Sequence, residues 1–396
     1  MDAAAAAPHV MVLPFPAQGH VTPLMELSHR LVDRGFRVTF VNTEPSTPSG
    51  LPDGIRLVSV PVPDGLADGD DLRDLSRFVD ALSRCVPGYV ERLLRETKVK
   101  WLVGDVNVGM CFEAARKLGV RVAAVFPASA ACLAMLLVPQ LIEGGFFDDM
   151  MPWSIDGPVQ GQEVGYQLVS WNTQAASRHA EVVVCNSFRD AEAAAFELFP
   201  ASCQSARSRR SAVYVAFGSF AIFDPRQFRE LAEGLELTGR PFLWVVRPDF
   251  TTGDLSEAWF YAFKDRVAGK GMVVSWCPQQ KVLAHRAVAC FVSHCGWNST
   301  MEGVRNGVRF LCWPYFVDQF ANRSYVRDIW RTGLAVSPGE DGVLTKEEVS
   351  GKVEKVIGDE GMAERARVMR DAARKCLGVG GSSRENFNRL VDLLRG

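Results

Sequence analysis

Short apolar runs, segments of helical pattern and β-branched runs succeed one another at both starts of this chain. An apolar run from Val10 to Phe15 is followed by a helix-like segment from Thr22 to Arg34 and a β-branched run from Arg37 to Asn42. Thr22 suits an N-cap, Pro23 the first helical position and Gly35 the stop. The same order returns at Ala212 to Gly218, at Pro225 to Thr238 closed by Gly239, and at Pro241 to Arg247. Strands that are apolar without alternation are buried on both faces, which is the property of a parallel sheet covered by helices. The expected fold class is therefore α/β, with two Rossmann-like domains facing across a cleft. Further strands are expected at Lys100 to Asp105, Arg121 to Phe126 and Glu181 to Asn186, then at Met272 to Trp276, Cys290 to His294 and Phe310 to Trp313. Asp148 to Gly165, rich in Gly, Pro, Asp and Gln, reads as a surface loop.

Length divides this picture into domains. A chain of 396 residues suits two cores rather than one. We place the boundaries at 1–199, a linker at 200–211, a second domain at 212–376 and a closing segment at 377–396. The linker is polar and without periodicity, and its Arg207 to Arg210 run is too short for a phosphate-binding patch. With 47% hydrophobic and 23% charged residues and a formal net charge of -2, the chain resembles neither a disordered protein nor a nucleic-acid binder. The start has no basic leader, and the richest apolar window, Val120 to Val138, is interrupted by Arg121, Pro127 and Ser129. A cytoplasmic monomer without membrane contact is expected. Ten scattered cysteines suit reduced thiols, and Cys290, His294 and Cys295 lack a partner set for zinc, so no metal is expected. No G-x-G-x-x-G follows either first strand, which removes the best support for a nicotinamide dehydrogenase.

The chemistry concentrates in the second half. The turn His294 to Ser299 joins an apolar strand to a helix start, where the helix dipole favours an anion such as a diphosphate. Trp276 offers either a flat surface for stacking or a core tryptophan at a strand end. Glu302 is either an acceptor for two hydroxyls or, through Ser299-x-x-Glu302, half of a capping box. Gly218-Ser219 reads as a tight turn or an anion contact. In the first half, His20 follows the first strand, and histidine is the side chain best suited to removing a proton near neutral pH. Asp105 ends the run WLVGD and is either a helix cap before Val106 or the carboxylate that orients a histidine.

The 44 residues from Trp276 to Gln319, WCPQQKVLAHRAVACFVSHCGWNSTMEGVRNGVRFLCWPYFVDQ, resemble the signature box of the plant family-1 UDP-glycosyltransferases. The match includes Trp276, Pro278, Gln279, Leu283, His285, Phe291, His294 to Ser299, Glu302, Gly307, Pro314, Asp318 and Gln319. The resemblance implies a GT-B architecture, with the final helix from Glu385 to Leu394 packed back on the first domain. It also implies an inverting transfer from a UDP-sugar to a hydroxyl of a small apolar plant metabolite such as a flavonoid, phenolic or terpenoid. In that reading Trp276 stacks on uracil and Cys277 lies beside it. Gln279 and Glu302 take the ribose, while Ser219, His294, Gly296, Asn298 and Ser299 surround the diphosphate. Asp318, Gln319 and the Trp297 backbone hold the sugar, with Gln319 leaning toward glucose. His20 would be the base and Asp105 its orienter, with acceptor contacts around Phe15, Ser129 and Trp153. UDP-glucose is the co-substrate, with no cofactor.

Three departures accompany the resemblance. The usual Gly-Val-Pro stands here as Gly307-Val308-Arg309, which is expected to loosen a turn modestly. The chain is several tens of residues short, chiefly after Phe199 and after Asn42. The alternative function is therefore a UDP-sugar-binding protein made inactive by its shortened linker and loops. A sugar-nucleotide epimerase on the same architecture is disfavoured by Trp276 and the Asp318-Gln319 pair.

Overall fold

The computed structural model describes residues 7–42, 51–60, 75–137, 162–188, 191–192, 211–248, 250–251, 257–315 and 318–396. It divides into two compact units, one of Met1–Ser187 with Ser383–Gly396 and one of Phe188–Ser382. The expected linker at 200–211 falls outside the described residues except for Ser211.

In the first unit, strands β1 (His9–Leu13), β2 (Arg37–Asn42), β3 (Ile55–Ser59), β4 (Trp101–Asp105), β5 (Arg121–Phe126) and β6 (Val182–Cys185) form one sheet in the order β3-β2-β1-β4-β5-β6. Every pairing is parallel. The apolar runs are those buried on both faces: β4 is buried throughout, and β1 and β5 are buried after their first residue. The sheet packs Val10, Val12, Phe40, Trp101, Val103 and Val125 into a core completed by Leu390, Val391 and Leu394 of the helix Ser382–Arg395. Arg34 Nη2 donates to Asn388 Oδ1 at 2.7 Å, and Arg395 Nη2 to the Arg34 carbonyl at 2.8 Å, fixing that helix at its edge.

The second unit repeats the plan. Strands β7 (Ala212–Ala216), β8 (Phe242–Val245), β9 (Gly271–Val274), β10 (Val288–Ser293), β11 (Arg309–Cys312) and β12 (Gly333–Ala335) pair in parallel in the order β12-β11-β10-β7-β8-β9. An aromatic layer of Phe217, Phe223, Phe228, Trp244, Phe250 and Trp313 fills its core. In each sheet the order reverses beside the first strand, between β1 and β4 and between β7 and β10. Chains leave these neighbours toward opposite sides, so a crevice opens at their carboxyl ends, where ligands bind in such folds.

Several local expectations need correction. The first helix spans Gln18–Val32, so it starts four residues before Thr22, with Pro23 inside it. The Ala17 carbonyl accepts from both His20 N–H and Val21 N–H, so backbone bonding rather than a side-chain cap starts the helix. Residues 162–165, expected in a surface loop, open the helix Gln162–His179; 148–161 lie outside the described residues. β3 and β12 were not expected: β3 is only partly buried, and β12 has three residues, so neither carries a long apolar run.

Arg309 does not loosen a turn. It is the buried first residue of β11, and its guanidinium donates from Nε to the Ala289 carbonyl at 3.2 Å and from Nη1 to the Ile357 and Asp359 carbonyls at 2.9 and 3.3 Å. The last two end the helix Lys346–Gly358, where the negative pole of the dipole favours a cation. Among the described residues no helix is long and apolar enough to cross a membrane.

Candidate active site

At the reversal point of the first sheet, the end of β4 delivers Asp105 and the first turn of the helix Gln18–Val32 delivers His20. The His20 Nδ1 to Asp105 Oδ2 distance is 2.7 Å. Asp105 is completely buried while His20 keeps 24% of its side chain exposed. The other carboxylate oxygen, Oδ1, accepts the Asn107 N–H at 2.9 Å. Asp105 therefore both caps the 3-10 turn Val106–Cys111 and engages the histidine, so the two readings of that residue hold together. A buried carboxylate satisfied in this way keeps an Nδ1–H on the imidazole and leaves Nε2 as the basic nitrogen. Phe15 is buried and turns its ring edge toward His20, with centroids 5.2 Å apart. Ser129 is fully buried, and its hydroxyl accepts the Cys132 N–H at 3.1 Å. Trp153 lies outside the described residues. Beside the His20 turn, a cavity of about 570 Å³ is lined by Pro16, Gln18, Val21, Met25, Phe40 and Leu57 among others, a volume within the range of small-molecule sites.

At the reversal point of the second sheet, β7 ends before Gly218-Ser219 and β10 before His294. The His294 imidazole sits between two glycines: a Cβ on Gly218 or Gly296 would lie 2.5 or 2.4 Å from its Nε2. Gly218 also adopts a φ of 67°, so the close approach and the turn both demand glycine there. Burial pushes the His294 imidazole down to about 4, Arg247 adds to that effect, and the Ala216 backbone partly opposes it. Its Nδ1 meets no partner in hydrogen-bonding geometry among the described residues. Cys295 follows with a φ of 63°, a left-handed conformation costing a non-glycine residue roughly 1–2 kcal/mol. The turn is held by Ser293 Oγ, which accepts the Cys295 N–H at 3.1 Å, and by Asn322 Nδ2, which donates to the Cys295 carbonyl at 2.9 Å. The helix Trp297–Asn306 begins there with Gly296 as N-cap and no side-chain cap. Ser299 is thus its third residue, and the capping-box reading of Ser299 and Glu302 does not hold.

Glu302 is instead joined to Gln279. Gln279 Nε2 donates to Ser299 Oγ and to Glu302 Oε2, both at 2.9 Å, and Gln280 Nε2 donates to Glu302 Oε1 at 3.1 Å. Gln279 Oε1 accepts the Tyr214 hydroxyl at 3.0 Å, and Cys277 Sγ lies 3.4 Å from the Tyr214 hydroxyl oxygen. Trp276 is 72% exposed, so it is a surface plate and not a core tryptophan. Asp318 accepts from Asn322 Nδ2 at 2.7 Å, and buried Gln319 accepts the Tyr315 N–H at 2.8 Å. The Trp297 ring is buried, 6.1 Å from Trp330, which leaves its backbone at the turn. Beside Ser219, Arg247 donates to the Gly218 carbonyl and, at 3.1 Å, to the Ala221 carbonyl.

Sequence reading missed Tyr214, Asn322 and Arg247. Asn322 carried a signal, standing four residues after Asp318 on one helix face. Arg247 ends an apolar run as a lone cation, but a tyrosine inside an apolar strand announces only packing. Among the described residues no group of three or more His, Cys, Asp or Glu could hold a metal, and the cysteines are free.

Comparison with known proteins places these features among sugar-nucleotide enzymes. A family model described as UDP-glucoronosyl and UDP-glucosyl transferase matches residues 188–373. UDP-glycosyltransferase 83A1 of Arabidopsis thaliana is 34% identical over 464 aligned residues, covering 98% of this chain and 97% of the relative. The DIMBOA UDP-glucosyltransferase BX8 of Zea mays is 31% identical, covering 99% of each. Os79 of O. sativa, solved in complex with UDP, superposes with a TM-score of 0.82 at 28% identity over 97% of this chain and 100% of that one. Phytolacca americana UGT2, complexed with UDP-2fluoro-glucose and pterostilbene, gives 0.81 at 25% identity over 99% and 100%.

Proposed function

Since the chain belongs to the UDP-glucoronosyl and UDP-glucosyl transferase family, we propose that His20, oriented by Asp105, is the base with which it glycosylates a small hydroxylated acceptor. The protein is an inverting UDP-glycosyltransferase that uses a UDP-sugar as co-substrate. Glucose is the proposed sugar, in line with the glucosyltransferase relatives and with Gln319. The alternative of a binding protein without transfer gains no support from relatives that are named transferases over their whole length.

The hydrogen bond between His20 and Asp105 is the observation that carries this reading. His20 Nε2 takes the acceptor proton as the acceptor oxygen attacks the anomeric carbon and the bond to UDP breaks. The imidazolium that forms is stabilised by the Asp105 carboxylate. Inversion follows because attack and departure occur on opposite faces of the sugar. On the donor side, Trp276 stacks on uracil beside Cys277, Gln279 and Glu302 take the ribose, and Asp318 and Gln319 take the sugar. The diphosphate meets Ser219, His294, Gly296, Asn298 and Ser299 at the positive end of a helix. That compensation serves the leaving group without metal or cofactor. Phe15, Ser129 and Trp153 belong to the acceptor side. We further propose a cytoplasmic monomer.

The test is product analysis by mass spectrometry after mixing the protein, UDP-glucose and a pool of hydroxylated plant aglycones. A glucoside is expected, and His20→Ala should lower its rate about 10²- to 10⁴-fold with UDP binding intact. Near-normal turnover by that variant would remove His20 from its role.

A further inference from the structure

The orientation of Gln279 is dictated from both ends. The ionised Glu302 carboxylate can only accept, so the Gln279 nitrogen must face it, and this leaves the Gln279 oxygen pointing at Tyr214. Tyr214 is 1% exposed in β7, and its ring stacks on Phe291 of β10 with centroids 5.0 Å apart. The two residues are also register partners across those central strands, so the phenol has no freedom to swing. Burial, with Cys277 and Glu302 nearby, raises its pKa far above neutrality, and the hydroxyl remains a donor at every working pH. Gln279 begins a helix of six residues, Gln279–Ala284, without a side-chain cap, so that element alone does little to hold its amide.

We infer that Tyr214 is a positioning residue for nucleotide recognition: its hydroxyl clamps Gln279, so that Gln279 and the Glu302 carboxylate it faces meet the two ribose hydroxyls of the donor in one fixed arrangement. The inference rests on the proposed ribose roles of Gln279 and Glu302 and adds what holds them. Without the phenolic donor, the Gln279 oxygen loses its partner, the amide rotates, and the carboxylate loses one of its two amide neighbours. The loss should fall chiefly on the part of affinity that comes from the ribose hydroxyls, because uracil stacking lies on Trp276 and, of the diphosphate turn, Gln279 bonds the Ser299 hydroxyl.

The experiment measures binding of UDP, 2′-deoxy-UDP and 3′-deoxy-UDP by calorimetry to the wild type, Tyr214→Phe, Gln279→Ala and the double variant, with thermal melts of each. Tyr214→Phe should weaken UDP about five-fold, the size of one net hydrogen bond, and the deoxy analogues by less than about two-fold. In the Gln279→Ala background the tyrosine change should cost nothing more. KM for UDP-glucose should rise with kcat little altered. Equal weakening of all three nucleotides, or an additive double variant, overturns the clamp and leaves a merely structural tyrosine. If Gln279→Ala itself leaves the preference for UDP over its deoxy analogues unchanged, the ribose reading fails instead. A retained preference in Tyr214→Phe alone, with loss in Gln279→Ala, overturns the inference while sparing that reading. Should Tyr214→Phe melt early, Tyr214→Met in the same cycle asks the same question of a second apolar side chain.

Discussion

At the scale of the residue, the two histidines at the two reversal points stand in opposite surroundings. His20 keeps solvent access and a carboxylate partner, while His294 is half-buried between glycines with its pKa pushed down to about 4. Asp105→Asn would replace an acceptor by a group able to donate, which favours the wrong tautomer of His20. Turnover should fall about 10²- to 10⁴-fold, with the Asn107 cap retained and the melting temperature little changed. Steady-state kinetics beside a thermal melt checks this, and a near-normal rate would mean the carboxylate is only a cap. For His294 the folded value lies below the ordinary value of 6.5. Below pH 6.5 the unfolded chain therefore takes up a proton that the folded chain refuses until about pH 4, and stability falls as pH descends through this window. Urea titrations across that range should show the wild type losing up to roughly 3 kcal/mol that His294→Gln does not lose. Parallel slopes for the two proteins would assign the acid sensitivity elsewhere.

At the scale of the element, strand ends and helix ends are joined by side chains that the local pattern does not reveal. Arg309 ties the start of β11 to the end of the helix Lys346–Gly358. Arg309→Met would keep the bulk but remove the guanidinium donors from the Ala289, Ile357 and Asp359 carbonyls. A loss of about 1–3 kcal/mol is expected in denaturant unfolding, with KM for UDP-glucose nearly unchanged. A neutral result would mean water replaces the guanidinium at no cost. Gly296 presents the opposite constraint, since any side chain there meets the His294 ring. Gly296→Ala should displace the imidazole and raise KM for UDP-glucose about ten-fold or more, a change in the range of about 1–3 kcal/mol that overpacking costs. Unaltered KM in that variant would show the turn to be pliable.

At the scale of the whole molecule, the last helix belongs to the unit that the first residues begin. Its Leu390, Val391 and Leu394 are buried in the core around β1, β2 and β4. Removing residues 382–396 would expose three apolar sockets, each worth roughly 1.5–3 kcal/mol, against a total stability of about 5–15 kcal/mol for such a domain. The truncated protein should therefore be insoluble or proteolysed within the first unit, which limited proteolysis with mass spectrometry would locate. A truncation that stays soluble and melts normally would mean the helix is an accessory. The alignment over 464 residues with the Arabidopsis relative also leaves this 396-residue chain short of segments that the relative has, as the sequence implied.

Both sheets except for their edge strands β3 and β12 were legible from the chain because buried parallel strands are nearly continuous apolar runs, and β2 and β5 were delimited to the residue. Trp276, Gln279, Glu302 and His294 were legible because they stand at fixed spacings in one contiguous box, and His20 and Asp105 because each stands at or just after the end of an apolar run. What spacing left open was decided only in three dimensions: that Asp105 caps and orients at once, that Glu302 faces Gln279 and not its own helix start, and that Tyr214 stands behind them. Such outcomes depend on which strands lie adjacent and which atoms are left facing each other across them. A linear pattern records periodicity and composition, whereas a hydrogen bond between residues 65 or 85 positions apart is fixed by the sheet order that brings them within reach.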